Sequence, residues 1–425
     1  VSLPQRIAVV TVDTLRFDGF TSDTMPLTHE LMAAGHVFTR SYSATSTTQP
    51  THATLFTGLH PWEHGVTRNG LILDEDLEML PEVLQRRGYW TSAIVASFPL
   101  DSVFGYHRGF DAFDDNMEVG FSTKWSGQEV EDGRFYCLAE SVAGRARAAI
   151  DAAPAGPQFF WFHFFDPHGP YGDTVSVQGE GTLSVKAIRK AHRSDPSTYS
   201  EVLAEARALY DRDIVELDQH LAQVIQALMA DENFETTVIL TSDHGESFAE
   251  DSSLGHGTRV TSPQVHVPLA IHSPARLGPD SSERTDVAGT IDIAATVAAI
   301  AGLEDFATGG RDLAAPGASR PDARSSAAFG MRRIRADDGV ESRLDGSSHL
   351  QSEALFYAVH QGLLVAGDDQ EIWLADDPGS NASIPDRDKL KALFAKFHSS
   401  VISTGADELD TDAARDALKA LGYGR

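Results

Sequence analysis

The chain alternates between short, nearly continuous apolar runs and longer stretches with helical spacing. Residues 7–12 form the cleanest run, rich in β-branched side chains, as expected of a parallel strand buried on both faces. Residues 91–95, 159–165, 237–240 and 267–271 repeat the pattern, and 159–165 is strongly aromatic. Between them, residues 80–87, 138–152, 201–229 and 291–301 predict helices. The clearest is 201–229, where Leu203, Ala206, Tyr210, Ile214, Leu217, Leu221, Val224 and Leu228 recur with a period near 3.6. Strands alternating with helices predict an α/β fold, a mostly parallel central sheet with helices on both faces. Ligands of such sheets bind beyond the carboxyl ends of the strands. Asp13, Asp166 and Asp243 each stand at or just past a predicted strand end, so the pattern puts all three on one edge.

From about residue 302 the character changes. Residues 308–326 are rich in Gly, Pro, Ala and Ser and predict a linker or long loop. Residues 355–364 and 371–374 read as strands of a small antiparallel sheet, and 410–421 as a charged helical tail. The expected organisation is a main α/β domain over 1–310. Residues 311–425 then hold the linker and a small C-terminal α+β subdomain. Two irregular stretches, 116–133 and 172–198, exceed ordinary loop lengths and read as lids. The second carries Lys186, Arg189, Lys190, His192 and Arg193. The ordinary reading of such a cluster is a solvated helix face; the alternative is recruitment of an anionic substrate.

A chain of 425 residues, 41% hydrophobic, can bury a large core. Its net charge of −28 argues against nucleic acid and anionic membrane as partners. Self-association into a homo-oligomer stays open. One cysteine, Cys137, rules out an intramolecular disulfide. No stretch approaches the roughly 20 apolar residues of a membrane span. The first residues run straight into a strand, so the expected location is the cytoplasm, with secretion after loss of a leader as the alternative.

Thr48 opens the segment Thr48-Gln49-Pro50-Thr51-His52, where a polar loop gives way to a predicted short helix. A threonine hydroxyl does not attack unaided at neutral pH. A divalent cation can lower the pKa of a bound oxygen nucleophile, and such a cation needs carboxylate or imidazole ligands. Asp13, Asp243 and His244 are residues of that kind. Pro50 suits the first turn of a helix, whose free N–H groups and dipole favour an anion. Singly, each residue has a plainer reading as a cap or turn residue.

Together they carry a resemblance. Val10-Thr11-Val12-Asp13-Thr14-Leu15-Arg16, Thr57-Gly58-Leu59-His60-Pro61 and Ser242-Asp243-His244-Gly245-Glu246 resemble the sulfatase-like branch of the alkaline phosphatase superfamily. Phe165-Asp166-Pro167-His168-Gly169-Pro170-Tyr171 and Leu418-Lys419-Ala420-Leu421-Gly422-Tyr423 are similar to further phrases of that branch. The resemblance implies Asp13, Asp243, His244 and the Thr48 oxygen as metal ligands, with Thr48 as nucleophile. It implies that His168 contacts the substrate anion or leaving group and that His256 neighbours the leaving oxygen. Asn69 falls at a frequent pocket position. His60, His64 and His163 are expected to be satisfied structural histidines.

The departures from the family set the expected substrate. Sulfatases begin from Cys or Ser in Cys-x-Pro-x-Arg, converted to formylglycine, and threonine cannot become that aldehyde. The two lysines expected to hold sulfate are absent: no lysine precedes Lys124, and none lies between Lys190 and Lys389. Two carboxylates and an imidazole suit one Mn²⁺ or Zn²⁺ better than Ca²⁺. The expectation is therefore a metal-dependent hydrolase without formylglycine, acting on a small anionic ester. A phosphodiester or phosphonate monoester is favoured, through a phosphothreonine on Thr48. The alternatives are a sulfuric ester hydrolase, a phosphoryl or phosphoglycerol transferase to an alcohol, and an inactive binding module on the same fold.

Overall fold

The computed structural model describes residues 3–120, 124–125, 128–129, 134–172, 182–194, 197–278, 282–315, 329–333, 354–368, 371–380 and 382–401. The expected tail at 410–421, most of the expected linker and parts of both expected lids lie outside these residues.

The strands of the main sheet are β1 (Gln5–Val12), β2 (His36–Phe38), β3 (Trp90–Ile94), β4 (Ala112–Asp114), β5 (Gln158–Phe164), β6 (Glu235–Ser242), β7 (Leu269–His272) and β8 (Ser282–Arg284). Their spatial order is β8-β2-β7-β6-β1-β5-β3-β4. β6, β1, β5, β3 and β4 run parallel, and β7 runs antiparallel to both of its neighbours. The sequence pattern finds the five long strands. It misses β2, β4 and β8, edge or near-edge strands of three residues that carry no apolar run.

Helices form two sets. One joins α1 (Pro26–Ala33), α4 (Ala139–Ala152), α5 (Val185–Ser194) and the long α6 (Tyr199–Met229). The other joins α2 (Thr48–Thr57), α3 (Leu80–Arg86) and α7 (Thr290–Ala301). Every residue of β1 from Arg6 to Val12 is buried, so both faces of the sheet are covered. α5 lies inside the stretch expected to be irregular. Its Lys186, Lys190 and Arg193 are exposed, and Arg189 donates from Nη2 to the Leu254 carbonyl at 3.0 Å.

The second sheet is antiparallel, in the order β9 (Phe329–Arg333), β10 (Ala354–His360), β11 (Leu363–Gly367) and β12 (Ile372–Leu374). The single strand expected over 355–364 is a hairpin. Gln361 and Gly362, both at positive φ, make a two-residue turn that the apolar flanks concealed. This sheet braces the approach to α2: Met331 N–H bonds the Ala44 carbonyl at 3.1 Å, and the Tyr357 hydroxyl bonds that of Ser43.

Trp161 links the core to the catalytic edge. Its ring meets Phe56 edge-on at 4.6 Å between centroids and lies 5.3 Å from that of His52, both on α2. Its indole N–H donates to Thr11 Oγ1 at 3.1 Å. Trp161→Ala would leave a large cavity and remove the indole hydrogen bond to Thr11, and should cost about 3–5 kcal/mol. Denaturant unfolding checks this; a loss below about 1 kcal/mol would show that α2 does not depend on the sheet at this point.

Candidate active site

β5, β1 and β6 are neighbours, and Asp166, Asp13 and Asp243 follow them, as the sequence pattern predicts. Thr48 is the first residue of α2, with Thr47 as its cap residue. α2 ends at Gly58 in the left-handed conformation (φ 66°), whose N–H bonds the Thr54 carbonyl at 3.0 Å. Gly245 is required by close approach: a Cβ there would lie 2.1 Å from the Pro263 carbonyl oxygen. Its absence lets the Ser242–Glu246 turn lie flat and present Asp243 and His244.

Asp13, Asp243 and His244 offer ligand atoms within 4.8 Å of one another, all buried. His244 Nδ1 lies 3.0 Å from the Gly245 carbonyl, which only accepts, so Nδ1 carries the proton and Nε2 is a bare lone pair. That Nε2 is 3.6 Å from Asp13 Oδ1, 3.5 Å from Asp243 Oδ2 and 3.4 Å from Thr48 Oγ1. Neither oxygen of Asp13, nor Oδ2 of Asp243, accepts a hydrogen bond from any described residue. The remaining oxygen of Asp243 accepts N–H groups of His244 and Thr14 at 2.8 and 3.3 Å. A bare imidazole nitrogen facing two carboxylates has no attraction to offer them unless a cation stands between. The donor set of Asp13, Asp243 and His244 fits a divalent ion, and Thr48 Oγ1 lies within reach of the same place.

The titration behaviour agrees with that reading. Burial, then the nearby Asp243 and Glu246 carboxylates, raise Asp13 well above the usual carboxylate range. Burial raises Asp243 to about 6, against the opposing pull of His52 and the N–H groups of His244 and Thr14. Burial lowers His244 far below the usual imidazole range, and lowers His52 and His163 as well.

Asn69 sits beside the first turn of α2. Its Oδ1 accepts the Gln49 N–H at 2.8 Å, and Gln49 Oε1 accepts the Gly70 N–H. Both amides are thus fixed in orientation. Their buried NH₂ groups, Asn69 Nδ2 and Gln49 Nε2, find no acceptor among the described residues. They are suited to an anionic oxygen. The motif contained Gln49, but only geometry shows this use.

His168 and His256 also gather here. The His256 ring is 4.3 Å from that of His244 and 5.0 Å from that of His168. His168 bonds the Gly169 carbonyl through Nδ1 at 2.7 Å, and burial drives it down to about 3. Glu246, to which sequence reasoning gave no role, holds His256 Nδ1 at 3.1 Å from Oε1. His60 stacks on Trp62, and His64 is satisfied by Thr54 Oγ1 at 3.0 Å and the Val66 N–H. His163 departs from expectation: neither ring nitrogen has a hydrogen-bond partner among the described residues.

The family model for sulfatases matches residues 6–303, which span all the residues of this centre. The chain belongs to the sulfatase family. It is 24% identical over 315 residues to an uncharacterised sulfatase, YidJ, of Escherichia coli strain K12, covering 64% of this chain and 62% of that one. The chain thus spans less than two thirds of that relative. In structure it is similar to phosphonate monoester hydrolases of Silicibacter pomeroyi (TM-score 0.68, 18% identity, 95% of this chain and 99% of that one) and Agrobacterium radiobacter (TM-score 0.64, 19% identity, 94% and 95%). These likenesses show a shared fold. No helix among the described residues is long and apolar enough to cross a membrane.

Stripped of metal, the protein should bind Zn²⁺ or Mn²⁺ with release of protons near pH 6. Raised carboxyls hold protons when no cation is present, so affinity should climb as pH rises through about 6. Calorimetry in buffers of different ionisation heat measures the count. No proton release at pH 6, with affinity flat between about pH 5 and 7.5, would contradict the assignment.

Proposed function

We propose that this protein is a metal-dependent hydrolase of singly charged phosphorus esters, phosphodiesters or phosphonate monoesters, through a covalent intermediate on Thr48. The observation that carries the reading is the place of Thr48. Its hydroxyl opens α2 and lies 3.4 Å from the bare His244 nitrogen, beside the unsatisfied Asp13 and Asp243 oxygens. Threonine cannot supply formylglycine, so its oxygen itself is the nucleophile.

A bound divalent ion would lower the pKa of that hydroxyl and draw charge from the ester oxygens. The chain's own residues do the rest. Gln49 Nε2 and Asn69 Nδ2 bind the non-bridging oxygens. The Thr48 oxygen attacks phosphorus as its hydroxyl proton passes to solvent, from which His256 takes one up, and the bond from phosphorus to the leaving oxygen breaks. His256, oriented by Glu246, gives that oxygen a proton. Water then cleaves the Thr48 ester, returning the hydroxyl and releasing the acid. The supply of cations favours a singly charged substrate. No lysine lies between Lys190 and Lys389, and the buried Arg16 is engaged by Asp18, Glu250 and the Glu246 carbonyl.

The test is a panel of aryl phosphodiesters, phosphonate monoesters, phosphate monoesters and sulfates with added Mn²⁺ or Zn²⁺. The phosphodiester or phosphonate should turn over fastest; faster turnover of the sulfate would sink the reading. Thr48→Ala should lower kcat by several orders of magnitude while metal still binds. His256→Ala should cost little with a nitrophenyl leaving group and roughly 10²–10⁴-fold with an alkyl one. Equal losses would show that His256 anchors the site instead.

A further inference from the structure

A second group of donors lies behind the first. His52, His163 and Asp243 offer ligand atoms within 4.8 Å of one another, and all three side chains are buried. Thr48 and His52 are one helical turn apart on α2, and His163 is the penultimate residue of β5. Trp161 and His163 point to the same face of β5, the face that α2 covers.

Each side chain is aimed as a ligand. His52 Nδ1 lies 2.9 Å from the Thr48 carbonyl, which only accepts. Nδ1 is therefore protonated and Nε2 is a free lone pair. Metal-bound histidines commonly donate their other N–H to a carbonyl in this way. The Nε2 contact is Thr11 Oγ1 at 3.2 Å. That oxygen also accepts the Trp161 indole at 3.1 Å, and since Nε2 is unprotonated it is the rotatable Thr11 proton that can turn toward His52.

His163 decides the matter. It is fully buried, and neither ring nitrogen has a hydrogen-bond partner among the described residues. Its Nε2 is 3.8 Å from Asp13 Oδ2, too long for a hydrogen bond. Two unpaired imidazole nitrogens in the interior are costly and call for a partner that the described residues do not supply. The ring lies 5.1 Å from that of His52, tilted by 56°.

We propose that His52, His163 and Asp243 hold a second divalent cation, with Asp13 Oδ2 as a further donor, one helical turn deeper than Thr48. Imidazoles combined with carboxylates select Zn²⁺ or Mn²⁺ over Ca²⁺. Ligands at about 2.0–2.2 Å from an ion stand up to roughly 4.4 Å apart, so the group needs only a small closure. Asp243 is shared with the first ion. The deeper ion touches no substrate. It balances the charge of the two carboxylates from behind and ties α2, through His52, to the sheet. The proposal rests on the reading of the first metal site through the shared Asp243, and adds an ion to the single one that the sequence suggests.

The test is metal content together with anomalous diffraction, on the full chain. Protein stripped with a chelator, reloaded with Zn²⁺ and passed through a desalting column should carry two zinc ions per chain. His163→Leu and His52→Gln should carry one; Thr48→Ala should keep two. One ion in the wild type, or two in His163→Leu, overturns the inference. If the histidine variants do not fold, the wild-type crystal decides by itself at the zinc absorption edge. A peak in bonding contact with His163 and Asp243, beside one at Asp13, Asp243 and His244, supports the proposal. A single peak at the latter place overturns it and leaves the proposed function standing. No peak at either overturns both.

Discussion

Two carboxylates held together away from water govern this molecule. Asp13 and Asp243 follow adjacent parallel strands, are each 1% exposed and offer oxygens within 4.8 Å of each other. At an effective dielectric near 20, two such charges repel by about 3–4 kcal/mol. Their neighbours relieve this only in part: the N–H groups of His244 and Thr14 reach one oxygen of Asp243, while His244 turns a bare nitrogen toward the pair, and burial raises both acids. A cation at the proposed site would resolve the conflict, and the neighbouring side chains are arranged to suit one. The hydroxyl of Thr48 stands beside His244, and His52 and His163 lie beside Asp243.

The fold makes this arrangement rigid. Strand ends fix Asp13, Asp166 and Asp243 relative to one another through the hydrogen-bonded register of β6, β1 and β5. α2 is held from three directions. Trp161 grips it from the sheet, Asn69 fixes its first turn, and the second sheet pins Ser43 and Ala44 just before it. Preorganisation of this kind places a nucleophile within tenths of an ångström, which loops alone do not achieve.

Much of this was legible in the sequence, and the limits were physical. Asp13 and Asp243-His244 stand out because they end apolar runs at predicted strand ends, and Thr48 because a polar loop gives way there to a predicted helix. His163 does not, since a histidine inside an aromatic strand reads as core until its missing hydrogen bonds are seen. His52 and Gln49 lie in the most conspicuous motif, yet their use depends on which atoms the helix turns inward. Glu246 gains its meaning only from His256, ten residues away, through the Ser247–Phe248 and Leu254–Gly255 pairing. The three-residue strands β2, β4 and β8 lack any pattern of their own; β2 and β4 pair with longer neighbours, and β8 extends the sheet through β2.

The central claim is that Thr48 becomes covalently modified during turnover. Rapid quenching of the metal-loaded protein with a slowly turned-over aryl phosphodiester, followed by peptide mass spectrometry, tests it directly. The account predicts one phosphoryl ester, on the peptide containing Thr48, that appears before steady state and decays when substrate is exhausted. An ester on another residue, or steady turnover with Thr48 unmodified at every quench time, would contradict it.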